Sequence, residues 1–333
     1  MSQENQMPEQ QAPDMAYALA VSPNYASDGL CYVARRSGLY RSTDGGLTWE
    51  DAYDSLSLAA PLGTLCVALS SDMNETLHVY AGVLGGILHS MGGLSGAAWQ
   101  ISTLPTPPPL VSALALSPRY ATDGTVLAAT VEDGVFRSGD RGNKWQSWNF
   151  GLLDLDVYAL ALSPAFGGPL GTSGDETVFV GTETGIFCST NGGRAWRETP
   201  FDTDLAPVLC LALSPDYARD GCLYAGTDEN GLYRSTDRGE SWTRVGAAVP
   251  PLSGTPAPSI NALLLSPQYP DEPHILAMLA DALIVSRDGG TSWESWAAGL
   301  DLNSGATCVA APLGLAPGAP LLVGLGDGRV IKV

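Results

Sequence analysis

The residues of this chain best able to do chemistry are its carboxylates, which recur in polar segments set between apolar runs. Glu132-Asp133, Glu183, Asp228-Glu229, Asp281 and Asp327 stand in short connections, and Asp154, Asp156, Asp202, Asp204 and Asp301 in longer ones. Two carboxyl groups facing each other across a sugar linkage can hydrolyse it. Several converging oxygens can hold a hard divalent ion. A rim of a single charge sign attracts cationic partners from a distance. Arg35-Arg36 interrupts the acidic pattern near the start.

Other chemistries find less support. The three histidines, His78, His89 and His274, show no nucleophile and acid pattern, so a catalytic triad is not indicated. The six cysteines, Cys31, Cys66, Cys188, Cys210, Cys222 and Cys308, form no Cys-x-x-Cys pair and no cluster with histidine. That spacing argues against zinc and redox roles and leaves buried free thiols as the expectation. We expect no catalytic residue, no bound metal and no cofactor.

Charge narrows the partners. With 35 acidic and 16 basic residues the net charge is −19, the opposite of what nucleic acids or anionic membranes require. No run of about 20 apolar residues offers a membrane span. The first fourteen residues, Met1 to Asp14, are polar and lack the basic start and apolar stretch of a signal peptide. They read as a disordered tail ahead of a single domain over 15–333, and the expected location is the cytoplasm.

What positions the carboxylates is a repeat. Ser-x-Asp-x-Gly-x-x-Trp occurs five times, as Ser42, Asp44, Gly46, Trp49; Ser138, Asp140, Gly142, Trp145; Ser189, Asn191, Gly193, Trp196; Ser235, Asp237, Gly239, Trp242; and Ser286, Asp288, Gly290, Trp293. A sixth, stretched copy runs from Ser90 to Trp99 without the Asp. Ser and Asp side chains bond their own backbone, Gly supplies positive φ, and Trp anchors the next strand, which together make a hairpin turn. Upstream of each turn lies a small-apolar run such as Ala113-Leu-Ala-Leu-Ser-Pro118. From Ser22 to Pro312 these runs give six intervals of roughly 48 residues, the period of propeller blades. Each unit reads as four short strands, and the first should line the central channel. Cys66, Cys210 and Cys308 share one point of that strand with Ala18, Ala113, Ala159 and Ala262, where the narrow ring admits only small side chains.

These boxes make the chain resemble the BNR/Asp-box repeat propellers, from about Met15 to Val333. The group includes sialidases, xyloglucan-cleaving glycoside hydrolases, sortilin-type receptors and photosystem II assembly factors. The resemblance implies an all-β, single seven-bladed β-propeller, with each box joining the third and fourth strands of its blade, away from the ligand-binding face. It therefore implies that the box residues are structural. Sialidases gather three arginines, but Arg41, Arg137 and Arg234 hold one repeat position and are spread round the ring, and no Arg-Ile-Pro opening occurs. Xyloglucan hydrolases work in a cleft between two propellers, each the size of this chain. The assembly factors are single propellers of this length, but they carry an arginine-rich patch that this sequence lacks.

The sequence thus predicts no enzyme, but a non-catalytic protein-interaction module: a scaffold, assembly or sensor subunit with a rigid acidic face. A protein partner with a cationic surface should dock on Glu132, Asp133, Glu183, Asp228, Glu229 and Asp281. A carbohydrate-binding propeller is the alternative, and a glycoside hydrolase stands third. Trp145-Gln-Ser-Trp148 and Trp293-Glu-Ser-Trp296 read as packing between blades, and three Pro-rich loops (Leu104–Leu110, Pro250–Pro258 and Pro312–Pro320) as stiffening. Because Val333 follows the third strand of the last unit, blade seven should be three-stranded or completed by the segment before Met15.

Overall fold

A computed structural model describes residues 12–74, 76–92, 98–104, 108–167, 175–205, 207–245, 257–297 and 299–333. The apolar runs become seven small antiparallel sheets, six of four strands and one of three, each paired in chain order. Blade one shows the plan with Ala16–Val21, Cys31–Arg35, Gly38–Ser42 and Glu50–Asp51. The inner strands Ala16–Val21, Thr64–Ser71, Leu110–Leu116, Val157–Leu162, Val208–Leu213, Ala262–Leu265 and Ala306–Ala310 touch in a closed circle. Blade seven is Ala306–Ala310, Leu322–Leu325 and Val330–Lys332, so among the described residues it has three strands. Its inner two strands pack directly on the inner strand of blade one. The chain is an all-β seven-bladed propeller.

The core lies between blades, where apolar faces of adjacent sheets meet. Here the cysteine expectation needs correction. Cys66, Cys210 and Cys308 do not present their thiols to the channel; they turn them into the space between blades. Each pairs across the ladder with a glycine, Gly82, Gly226 or Gly324, whose Cβ would collide with the sulfur. Where the facing residue is Ala34 or Ala129, the inner residue shrinks to Ala18 or Ala113. Volume is conserved in these five pairs, as close packing demands, but not in blades four and six, where Ala159 faces Gly181 and Ala262 faces Met278. Sγ of Cys210 also donates to the carbonyl of Ile260 in the next blade, at 3.1 Å. Burial raises all three thiols to about 12, so they remain protonated and inert.

This arrangement makes a test. Gly226→Ala should cost about 1–3 kcal/mol by overpacking. Adding Cys210→Ala should recover part of that loss, with a coupling above about 0.5 kcal/mol in urea unfolding of the four species. Strictly additive costs would show that the two residues do not compete for one space.

The lower face is a set of latches. In the first box Ser42 Oγ accepts the Gly46 N–H at 2.9 Å and donates to Asp44 Oδ1 at 2.7 Å. Asp44 Oδ1 then accepts the Leu47 and Thr48 amides at 3.0 and 2.9 Å. Asn191 keeps the Oδ1 bonds, taking the Ser189 hydroxyl and the Ala195 amide, both at 2.9 Å, but the Oδ2 bond that Thr48, Ser241 and Ser292 give to Asp44, Asp237 and Asp288 has no counterpart, because residue 195 is Ala. A second latch, unread in the sequence, joins the first two strands. In Ser-Pro-x-Tyr-x-x-Asp-Gly, Ser22, Ser117 and Ser214 each donate to an Asp (Asp28, Asp123, Asp220) at 2.6 Å. The closing Gly29, Gly124 and Gly221 adopt φ near +60°. Their carbonyls receive amides from the boxes, at Gly45, Arg141 and Arg238. Box and turn therefore lock together beneath blades one, three and five.

Residues 1–11 of the tail, Pro105 and Pro107, and residues 250–256 of the second Pro-rich loop lie outside the described residues.

Candidate ligand-binding face

The opposite, upper face carries the turns between second and third strands and the loops from blade to blade. All six expected partner-binding residues sit there, on four consecutive blades, three to six. They are not equivalent. Asp228 is engaged, accepting the Ser259 hydroxyl at 2.5 Å, and Glu183 accepts the Tyr158 hydroxyl at 2.6 Å. Glu132, Asp133, Glu229 and Asp281 show no side-chain partner among the described residues. Glu132 and Glu229 adopt φ of 79° and 59°, which costs a side-chain-bearing residue energy and commonly marks functional turns.

Many other rim carboxylates are staples, which charge alone could not reveal. Asp156 accepts the Glu132 amide at 2.9 Å. Asp154 accepts the Thr184 amide and hydroxyl, both at 2.8 Å. Asp14 holds Ser37 in the same double fashion at 2.8 Å, and Asp327 holds Ser304 at 2.8 Å. Partial burial alone would raise the Asp154 pKa, but the bonds from Asp156 and Thr184 more than reverse it and keep the carboxylate ionised. The rim is thus rigid and only partly free to meet a ligand.

A ring of functional candidates escaped the sequence reading. Six inner strands carry a register shift near their upper end, which bulges out Tyr17, Leu65, Ser112, Tyr158, Leu209 and Thr307. Asn261 holds the same place in blade six. Each is half-exposed, whereas the residue before it (Ala16, Thr64, Val111, Val157, Val208, Ile260 or Ala306) is buried. A bulge re-aims a side chain without disturbing the strand beyond it. The signal was present: ahead of the near-constant Ala-Leu-Ala-Leu-Ser run, this position alone changes freely in size and polarity.

Between blades two and four the upper face is also apolar. Leu84 and Leu153 are 67% and 79% exposed. Leu84 bridges to Leu110, Leu110 pairs with Val131, and the Leu155 carbonyl binds the Gly134 amide, so their backbones run side by side next to Glu132 and Asp133. At blade one a separate cavity of about 420 Å³ is lined by Ser37, Tyr40, Asp51, Tyr53 and Asp54.

Arg41, Arg137 and Arg234 lie on third strands of three different blades and do not converge. Arg137 and Arg194 instead pack on the Trp148 ring, at 4.6 and 5.4 Å, between blades three and four.

The BNR/Asp-box repeat profile matches residues 40–51, the first of the five boxes. Among solved structures, a GH74 enzyme of Niastella koreensis superposes with a TM-score of 0.71 at 16% identity, over 96% of this chain and 52% of that one. YCF48 of Cyanidioschyzon merolae gives 0.65 at 14% identity, covering 98% and 96%, and YCF48 bound to D1 peptide gives 0.66 at 16%, covering 96% and 93%. The chain is a seven-bladed propeller that carries the BNR/Asp-box repeat. A curated relative, a xyloglucanase of Hypocrea jecorina, is 28% identical over 239 residues, covering 69% of this chain and 26% of the relative. The chain spans about a quarter of that relative's length. This match overturns the expectation that the chain is not an enzyme: glycoside hydrolysis, placed third from the sequence, has a named relative behind it. The reasoning from a missing two-propeller cleft considered this chain alone, whereas the relative extends well beyond the matched region.

Proposed function

We propose that the upper face recognises a basic, partly apolar protein segment. The observation that carries this reading is the set of exposed leucines Leu84, Leu110 and Leu155, whose backbones adjoin those of Glu132 and Asp133, carboxylates with no side-chain partner among the described residues. Exposed apolar patches rimmed by charge are typical of docking surfaces, and the charge sign selects a cationic partner. The YCF48 complex with a peptide supports a propeller of this size serving as a peptide receptor. Selection from a displayed peptide library should enrich sequences mixing Lys or Arg with aliphatic residues. Against a selected peptide, Glu132→Gln with Asp133→Asn should slow association about 10-fold at low salt, shrinking toward no effect near 0.5 M, where the Debye length is ~4 Å. Leu84→Ser with Leu155→Ser should raise dissociation instead. Enrichment unchanged by all four substitutions would remove this surface from consideration.

A second reading rests on the xyloglucanase match: the propeller binds a β-glucan and contributes to its cleavage. The blade-one cavity suits a sugar, since Tyr40 offers a ring and Asp51 and Asp54 offer acceptors. Xyloglucan oligosaccharides should then bind wild type, and Asp51→Asn with Asp54→Asn should abolish binding in calorimetry. Release of reducing ends from xyloglucan would establish the hydrolase.

A further inference from the structure

We propose that blade two docks edge to edge on blade two of a second copy of this chain, its outer strand Trp99–Thr103 pairing with itself about a two-fold axis at Ile101. The first observation is a gap in the charge. No Asp, Glu, Lys or Arg occurs from Thr76 to Pro118, although the chain has 35 acidic and 16 basic residues. That stretch holds the second, third and fourth strands of blade two. It also exposes Leu84, Met91, Leu110 and, at 61%, Ile101. Two copies of a chain of net charge −19 repel wherever their carboxylates meet. A charge-free blade is where they can approach.

The second observation is the edge itself. Fourth strands are the outer edges of these sheets, and proteins keep such edges from pairing by shortness and by charge. Glu50–Asp51, Gln146–Ser147, Arg197–Glu198, Thr243–Val245 and Glu294–Ser295 are two or three residues long, and all but Gln146–Ser147 carry charge. Trp99–Thr103 has five residues, none of them charged, and no strand lies beside it among the described residues. The Leu104 amide donates to the Gly85 carbonyl at 3.0 Å, and the register sets Ser102 opposite Ile87 and Gln100 opposite His89. Antiparallel ladders alternate bonded and unbonded pairs, so the backbone groups of Trp99, Ile101 and Thr103 point away from the blade. The strand is held rigid from both sides. Trp99 Nε1 donates to the Ala52 carbonyl of blade one at 3.0 Å, and Ser102 Oγ to the Gly142 carbonyl of blade three at 2.7 Å. A pre-ordered edge loses little freedom on pairing.

Such an edge is complementary to itself. Antiparallel pairing about Ile101 sets Ile101 opposite Ile101 and Trp99 opposite Thr103, and each of these pairs exchanges two backbone hydrogen bonds. The two isoleucines then lie side by side on one face. On the other face a groove of about 530 Å³, lined by Ser102, Leu104, Asn143 and Trp145, gives room for side chains of the second copy. A two-fold contact uses up both edges, so association stops at the dimer. Because Trp99–Thr103 climbs toward the upper face, antiparallel pairing turns the two upper faces in opposite directions.

Sedimentation of the intact chain from about 1 to 300 µM tests this. The wild type should pass from monomer to dimer mass, and Ile101→Lys, which sets two like charges opposite each other, should raise the dimer Kd at least 10-fold. Register is tested by cross-linking. Directly bonded antiparallel partners stand about 5.5 Å apart at Cα, within reach of a disulfide. With oxidised glutathione Ile101→Cys should therefore give a covalent dimer, and Gln100→Cys, equally exposed but not opposite its own copy, should not. The native thiols are buried or half-buried and do not compete. A wild type that stays monomeric at 300 µM overturns the proposal. So does a dimer indifferent to Ile101→Lys, or one that cross-links equally from positions 100 and 101. Should Ile101→Lys fail to fold, the two cysteine variants decide.

Discussion

Trp196→Ala should lower stability by about 3–5 kcal/mol, the range for removing a buried Trp. The indole is 6% exposed, packs in the cluster of Leu127, Leu152, Val157 and Phe187, and donates from Nε1 to the Trp148 carbonyl. Its own amide donates to the Phe150 carbonyl at 2.8 Å. One residue of blade four thus fastens the exit of blade three. At about 2.1 cal/mol/K per residue, a cooperative ring of this length loses about 1.4 °C per kcal/mol, so the melting midpoint should fall by about 4–7 °C. Trp145, half-buried and bonded within its own turn to Gly142, should cost less when removed. Calorimetry of both variants checks this, and a Trp196→Ala midpoint within a degree of wild type would mean the anchor lies elsewhere.

The contrast between these two tryptophans shows what the sequence made legible. The small-apolar runs set the blade count and the boxes the turn position, because every bond within a box spans four residues or fewer. Whether a box Trp serves its own turn or the neighbouring blade depends on contacts some 48 residues away, which the motif does not encode. The candidate site divides the same way. Carboxylates on the upper loops were readable, but their engagement was not: Asp154 meets Thr184, and Asp228 meets Ser259, only after the ring brings separate loops together. The inner-strand cysteines show the limit of arguing from size alone. Smallness was read as a demand of the channel, whereas the three cysteines turn toward the neighbouring blade and each faces a glycine across the ladder.

Acid should weaken the protein before its carboxylates titrate. His78 and His89 are buried at blade two, with Nδ1 of His78 2.9 Å from Nε2 of His89 and Nε2 of His78 3.5 Å from Asp72. The Tyr80 ring stacks on His89 at 4.3 Å, and Tyr80 and Tyr120 share a hydroxyl bond of 2.7 Å. Burial, then the neighbouring His78 and the Arg141 charge, lowers His89 to about 4. Burial likewise lowers His78, against the pull of Asp72. The unfolded chain, with histidine near 6.5, therefore binds protons that the folded chain refuses, so stability is full above about 6.5 and falls as pH drops toward 4. From His89 alone the loss is about 3 kcal/mol. Asp237 acts in a lower window: it is held at about 2 by the Ser241 and Ser235 hydroxyls, so its contribution fades only below about pH 4. Urea midpoints at pH 7.5, 5.5 and 4.5 should decline in wild type and flatten in His78→Asn/His89→Gln. Parallel decline in both would show that other groups set the acid limit.

The bulged circle at the channel mouth separates two kinds of inheritance. A residue lifted out of the ladder contributes little to register, so it can change without shifting the strand pairing, although Ser112 also donates to the Val157 carbonyl of blade four at 2.6 Å. The constant Ala-Leu-Ala-Leu run carries the ring, and the residue ahead of it carries the chemistry of the opening. The mouth can accordingly be written as one word, here Tyr-Leu-Ser-Tyr-Leu-Asn-Thr in blade order. Two rings of identical fold that spell different words would present different surfaces on the same circle. Comparing such words would sort these propellers by ligand where overall identity, near 15% among the structural neighbours, sorts them only by fold.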